Sequence, residues 1–263
     1  MRILAIGDVT SPEGLSHLAK NLWKYREENK IDFVIANGEN ASFITGISEE
    51  GAVKLLRGGA DCITGGNHTL RNRKIYTYIE EERALLRPIN FGDAVPGRGY
   101  AILDANGYSV LVINAMGVVN IEPRLNSPYG YIDKVLSDEA GRYDVAVLDI
   151  HAEATGEKLA LGYAYDGKIN IIFGTHTHVP TADERILPNG TGYITDIGMC
   201  GPIDSVLGVV TKCSTDFMIT HLRGKGMEIA KGPCKVQGIF TETDDSTGKA
   251  LSIERFEITD PAK

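Results

Sequence analysis

The chain holds only four cysteines, Cys62, Cys200, Cys213 and Cys234, and none stands in a C-x-x-C pair or at framework spacing. That argues against a disulfide-dense secreted scaffold and for reduced thiols in a cytosol. No apolar run approaches the roughly 20 residues that a bilayer-spanning helix needs. The opening residues, Met1-Arg2-Ile3-Leu4-Ala5-Ile6-Gly7, lack a charged leader with a small-residue cleavage site behind it. The expectation is a cytoplasmic, unprocessed, soluble protein with no membrane partner. A basic surplus is missing too: 27 Lys and Arg face 35 Asp and Glu, a formal net charge of -8. Such a surface disfavours long nucleic acids, whose backbones demand clustered cations. It leaves room for a small phosphorylated substrate whose charge is met locally by metal ions. Linkers, internal repeats and low-complexity stretches are absent, so residues 1–263 read as one domain. Homo-oligomerisation is left open.

What is present suits a globular α/β chain, with 43% hydrophobic residues to form a core. Ile3–Gly7, Phe33–Ala36, Cys62–Thr64, Val145–Ile150 and Ile169–Phe173 are short continuous apolar runs, the pattern of strands covered on both faces. Between them, Ser11-Pro12 opens a helix with Ser as N-cap and Pro at the first helical position. Leu15, Leu18, Ala19, Leu22 and Trp23 fall at helical spacing and form its expected buried face. Ser48 caps a second helix bearing Ala52, Val53, Leu55 and Leu56, and Lys74–Glu82 reads as a third. Asn106-Gly107 marks a type I′ hairpin between Tyr100–Leu103 and Val110–Asn114. Beyond residue 180 the pattern is mostly strand and turn, closing with a hairpin of Val236–Phe240 and Leu251–Ile258 around Asp244–Gly248.

Five loops that follow these strands concentrate hard and borderline ligands: Gly7-Asp8, Gly38-Glu39-Asn40, Gly66-Asn67-His68, Asp149-Ile150-His151 and Gly174-Thr175-His176-Thr177-His178. Four of the six histidines lie in them. Each piece alone is an ordinary turn; a strand ending in Gly-Asp is commonly just capped. The Gly-x-His-x-His segment says more, because alternate residues of an extended strand end point the same way. Two carboxylates, two carboxamides and three imidazoles make a mixed O/N donor set suited to iron, manganese or zinc rather than calcium. The candidate metal ligands are therefore Asp8, Glu39, Asn40, Asn67, His151, His176 and His178.

This order of motifs resembles the calcineurin-like metallophosphoesterases. Two departures stand out: Thr10 replaces the His of the first motif, and Glu39 replaces the bridging Asp, with Asn40 as an added donor. Together with His-Ala-Glu-Ala-Thr at 151–155 and Thr-Asp-Ile-Gly-Met at 195–199, they resemble the bacterial YmdB-like branch, over nearly the full length. The resemblance implies a four-layer α/β/β/α sandwich and a two-iron cyclic-nucleotide phosphodiesterase. It also implies that one ion takes Asp8, Glu39, Asn40 and His178 while the other takes Glu39, Asn67, His151 and His176.

Two cations sharing a water can lower its pKa to about 7 and hold the phosphoryl oxygens for in-line attack on phosphorus. His68, one residue past Asn67, is the candidate proton donor to the leaving oxygen. Glu153 is a candidate partner for a metal-bound imidazole. The leading expectation is hydrolysis of nucleoside 2′,3′-cyclic monophosphates, with 3′,5′-cyclic ones in range. A phosphomonoesterase or 5′-nucleotidase would use the same donors. A regulatory nucleotide-binding protein with low turnover is the reading from another class; cyclic nucleotide held for hours without cleavage by a metal-loaded sample would favour it.

Overall fold

A computed structural model describes residues 1–42, 45–222 and 226–259. One sheet contains β1 (Arg2–Ile6), β2 (Asp8–Val9), β3 (Phe33–Asn37), β4 (Cys62–Thr64), β11 (Met199–Pro202), β12 (Cys234–Thr243) and β13 (Ala250–Thr259), in the order β2-β11-β12-β1-β3-β4 with β13 also paired to β12. The other contains β5 (Tyr100–Ala105), β6 (Tyr108–Met116), β7 (Val145–His151), β8 (Ile171–Thr175), β9 (Arg185–Ile186) and β10 (Gly192–Ile194), in the order β5-β6-β7-β8-β10-β9. The helices are α1 (Ser11–Glu28), α2 (Glu49–Gly58), α3 (Ile75–Glu81), α4 (Tyr129–Asp138), α5 (Thr155–Ala164) and α6 (Thr211–Thr220).

The two-residue period of the strands sorts their side chains into three cores. Leu4, Ile6, Val34 and Ala36 pack beneath Leu15, Leu18 and Leu22 of α1, Leu55 of α2 and Ile79 of α3. The alternate residues Ile3, Ala5, Phe33 and Ile35 face Val110, Val112, Val147 and Phe173 of the second sheet. On the far face of that sheet, Leu111, Ile113, Leu148 and Ile172 meet Ile132 of α4 and Leu161 of α5. The result is helix, sheet, sheet, helix, the expected α/β/β/α sandwich. Each wholly buried Leu, Ile or Phe contributes ~1.5–3 kcal/mol relative to exposure.

The local signals mostly hold. Asn106 and Gly107 both have positive φ, 56° and 94°, as a type I′ turn between β5 and β6 requires. β12 and β13 form the closing antiparallel hairpin. The expected Ser11 cap is displaced by one residue: Thr10 holds the cap position without a side-chain bond, and Ser11, the first helical residue, accepts the Gly14 N–H at its Oγ at 3.4 Å. Trp23 departs from the expected buried face: it is 51% exposed. Its indole Nε1 donates to the Arg57 carbonyl at 3.1 Å and the Arg26 guanidinium lies 5.3 Å from its ring centre, so the ring lies along α1 and α2 with its polar edge satisfied. The region after residue 180, read as strand and turn, contains α6. None of its described residues is buried, so it lacks the apolar stripe on which a sequence reading depends. Among the described residues no helix is long and apolar enough to cross a membrane, and no cysteine forms a disulfide.

Candidate metal centre

β1, β3 and β4 run parallel, as do β6, β7 and β8, so the residues after their C-terminal ends gather where the two sheets meet. Asp8, Glu39, Asn40, Asn67, His68, His151, His176 and His178 all come from this rim. Two groups of donor atoms each lie within 4.8 Å of one another: Glu39 with His151 and His176, and Asp8 with Glu39 and His178. Glu39 belongs to both. Its Oε2 is 3.2 Å from His151 Nε2 and accepts the His68 backbone N–H at 3.0 Å. Asn67 Oδ1 lies 3.2 Å and His176 Nδ1 3.1 Å from the same His151 nitrogen.

Polar groups without partners make this space chemically suited to a cation. Asp8 Oδ1 and His178 Nδ1 are shielded from solvent and have no hydrogen-bond partner among the described residues, an arrangement that costs free energy unless a ligand completes it. Gly66 lines the same space: a Cβ there would overlap His151 Nε2 and Glu39 Oε2. His176 and His178 hold φ of 99° and 64°, a strained backbone for non-glycine residues that aims both imidazoles inward.

The charges are matched internally. Burial favours protonating Glu39, but His151 and His68 outweigh it and hold this carboxyl well below its usual range. Burial also favours neutral His151, yet Glu39, Asp8 and Asp149 hold its pKa up at about 9. Asp8 is pushed well above the usual carboxyl range by burial, with Glu39 and Asp196 adding to the rise and His151 opposing it. Burial, with the charge of His151, lowers His176 to about 3; burial lowers His178 to about 4. These two imidazoles therefore stay neutral, the form that ligates.

Asn40 spans two neighbours. Its Nδ2 donates to Glu39 Oε1 at 2.7 Å and its Oδ1 lies 2.8 Å from His68 Nδ1. Burial lowers the His68 pKa, and part of its ring reaches a cleft of about 220 Å³ that opens over Asn40, His68 and His178. Glu153 Oε2 lies 3.2 Å from His176 Nε2, which leaves Nδ1 of that ring facing the centre.

The supporting residues behind the donors are less visible in the sequence. Thr175 Oγ1 donates to Asp149 Oδ1 at 2.7 Å and stands 2.9 Å from His151 Nδ1. Asp149 Oδ2 also accepts from Asn37 and Thr64, and Asn114 exchanges two hydrogen bonds with the Gly65 backbone, so polar residues of both sheets lock together beneath the site. Lys158, fully buried, donates to Asp196 Oδ2 and to the Thr175 carbonyl, each at 2.8 Å. Asp196 Oδ2 also accepts from the Thr177 hydroxyl and N–H, fixing the residue between the two loop histidines. One signal for Asp149 did exist: it lies two residues before His151 on β7 and so shares its face.

Known proteins carry the same frame. The chain is 42% identical over 260 residues to a Bacillus subtilis protein named 2′,3′-cyclic-nucleotide 2′-phosphodiesterase, covering 99% of this chain and 98% of that one. A crystal structure of a hypothetical protein from Thermus thermophilus superposes with a TM-score of 0.91 at 33% identity, covering 99% and 100% of the two chains. A Mycoplasma pneumoniae structure described as a novel phosphatase gives 0.91 at 32% identity, covering 99% and 95%. A calcineurin-like phosphoesterase of Bacillus subtilis shares the fold at a TM-score of 0.57 and 15% identity, over 98% of this chain and 90% of that one. The family model for YmdB-like proteins matches residues 4–256, and the chain belongs to that family.

Proposed function

We propose that this protein is a two-metal phosphodiesterase that opens nucleoside 2′,3′-cyclic monophosphates to 3′-phosphates, with 3′,5′-cyclic nucleotides as secondary substrates. The observation that carries the reading is the pair of donor groups sharing one carboxylate, Glu39, with two polar atoms beside it left unpartnered. The name of the Bacillus subtilis relative, matched along nearly its whole length, supports the diester substrate and the position of cleavage.

Asp8, Glu39, Asn40 and His178 would hold one ion, and Glu39, Asn67, His151 and His176 the other. The mixed oxygen and nitrogen donors fit iron, manganese or zinc, and iron is the choice that the YmdB-like resemblance implies. When bound, the ions would supply a shared, acidified water and positive charge against the phosphoryl oxygens. Glu39 would be shared by the two ions, since it belongs to both donor groups. His151 is oriented by Thr175 at Nδ1, leaving Nε2 for the centre.

His68 donates the proton that the departing 2′ oxygen takes up. As an imidazolium the His68 ring is protonated at both nitrogens, so Nδ1–H donates to Asn40 Oδ1, 2.8 Å away, and Nε2–H remains for the leaving oxygen.

Anaerobic purification with metal analysis, then a phosphoester panel on the same sample, tests the reading. Two equivalents of metal and conversion of cyclic substrate to 3′-phosphate by phosphorus NMR are expected. The phosphatase description of the Mycoplasma pneumoniae structure favours one competitor, monoester hydrolysis. Release of inorganic phosphate from 5′-monophosphates, with cyclic substrates untouched, would establish it instead.

A further inference from the structure

The cleft over the metal centre has one wall of a different character from the rest. Asn40, His68 and His178 form the polar side, while Leu207, Val209, Met227 and Ile229 line the cleft with apolar groups. Leu207 is 44% exposed and Met227 67% exposed, so the protein leaves much of this apolar surface uncovered beside its most polar site. An uncovered apolar patch at the mouth of a charged centre is what an amphipathic ligand would bury.

The wall is built, not loose. Val206 and Val209 exchange both backbone hydrogen bonds, at 2.8 and 3.0 Å, closing a tight turn. Gly208 has φ of 93°, and a Cβ on it would press on Thr10 at 3.1 Å, so the turn abuts the segment that carries Asp8. The Gly208 carbonyl accepts from Ala230 N–H at 3.0 Å, and Val210 N–H donates to Glu228 at 2.9 Å, tying the turn to the strip that bears Met227 and Ile229. Leu207 itself sits at φ of 54°, a conformation costly for a leucine that the surrounding bonds maintain.

We infer that the Leu207–Val209 turn, with Met227 and Ile229, is the wall against which the substrate's nucleobase rests, and that it accepts purines and pyrimidines alike. This rests on the phosphodiesterase reading and names what distinguishes a nucleotide from any other cyclic phosphate there. Apolar contact is indifferent to the pattern of donors and acceptors on a base edge. The other groups lining the cleft include the hydroxyls of Ser11, Ser42 and Thr45, which rotate to donate or accept. Ser42 Oγ is shielded from solvent and has no hydrogen-bond partner among the described residues, so it is available to a polar atom of the nucleoside.

The test compares the metal-loaded enzyme on the four 2′,3′-cyclic nucleotides and on glycerol 1,2-cyclic phosphate, which keeps the five-membered phosphate ring and lacks a base. Expected kcat/KM values for the four nucleotides lie within about tenfold of one another and at least about tenfold above the base-free ester, the scale of apolar pocket contacts. The Leu207→Ala/Met227→Ala double variant, changed only at exposed side chains, should raise nucleotide KM roughly fivefold with kcat nearly kept, and so narrow the gap to the base-free ester. A base preference beyond about tenfold, a base-free ester cut as well as nucleotides, or a double variant that leaves the gap unchanged would each overturn the inference while hydrolysis stands. Failure of the loaded wild type to cut any cyclic phosphate would instead remove the phosphodiesterase reading, and the inference with it.

Discussion

Nδ1 of His151 lies 2.9 Å from the hydroxyl of Thr175, the residue beside it in register on the neighbouring strand. That hydroxyl donates onward to Asp149 Oδ1 at 2.7 Å. It can therefore accept from Nδ1–H, which leaves Nε2 of the ring turned towards Glu39, Asn67 and His176. One hydroxyl thus selects both the tautomer and the rotation of an imidazole proposed to hold a metal.

Thr175→Val keeps the shape and removes the hydroxyl's hydrogen bonds with His151, Asp149 and Asn37. Metal affinity should fall by roughly 10–100-fold, the usual cost of losing such an orienting partner. Stability should fall by about 1–3 kcal/mol because Asp149 loses a buried donor. Metal titration and thermal melting of the same sample check the two effects separately, and unchanged metal affinity would show that Thr175 does not orient His151.

Glu39→Gln should nearly abolish hydrolysis and lower metal content below two per chain. A neutral amide keeps the volume but removes the charge that serves both donor groups. Far-ultraviolet circular dichroism should match the wild type, since Glu39 lies in the loop after β3 and outside the three apolar cores. Full activity with two ions retained would remove Glu39 from the mechanism.

The convergence of the candidate donors could be read from the sequence because they follow apolar runs at short fixed spacings, and parallel strands bring such positions to one rim. The hairpin at Asn106-Gly107 was legible for a similarly local reason: only certain residues tolerate its φ. What could not be read depends on contacts distant along the chain. Lys158 looks like an ordinary helix lysine, and nothing near it indicates that its ammonium reaches Asp196, 38 positions on. Trp23 had the spacing of a core residue, but its indole nitrogen found a carbonyl on α2 and stayed at the surface. The apolar wall of the cleft joins Leu207 and Val209 to Met227 and Ile229 through backbone bonds that no periodicity announces.

Lys158→Met should destabilise the protein by about 3–5 kcal/mol, because it strands the buried Asp196 carboxylate without its cation. The double variant Lys158→Met/Asp196→Asn should lose less than the sum of the two single changes, since no unpaired charge is left. Urea unfolding of all four proteins measures that coupling. Because Asp196 also holds Thr177 between the two loop histidines, metal affinity in Asp196→Asn should fall as well. Strictly additive losses would mean that the ammonium and carboxylate do not depend on each other.

His68 bonds to Asn40 and, through its backbone N–H, to Glu39, while its ring reaches the cleft. If it supplies the leaving-group proton, His68→Ala should lower kcat by roughly 10²–10⁴ on cyclic nucleotides, the span expected for a lost general acid. Two ions should remain, because its ring is not among the donors assigned to them. A p-nitrophenyl phosphodiester, whose leaving group departs without a proton, should lose far less. Loss of acid catalysis steepens the dependence of rate on leaving-group pKa, a signature that simple distortion of the site does not produce. Equal losses on activated and ordinary esters, with metal content intact, would take the acid role away from His68.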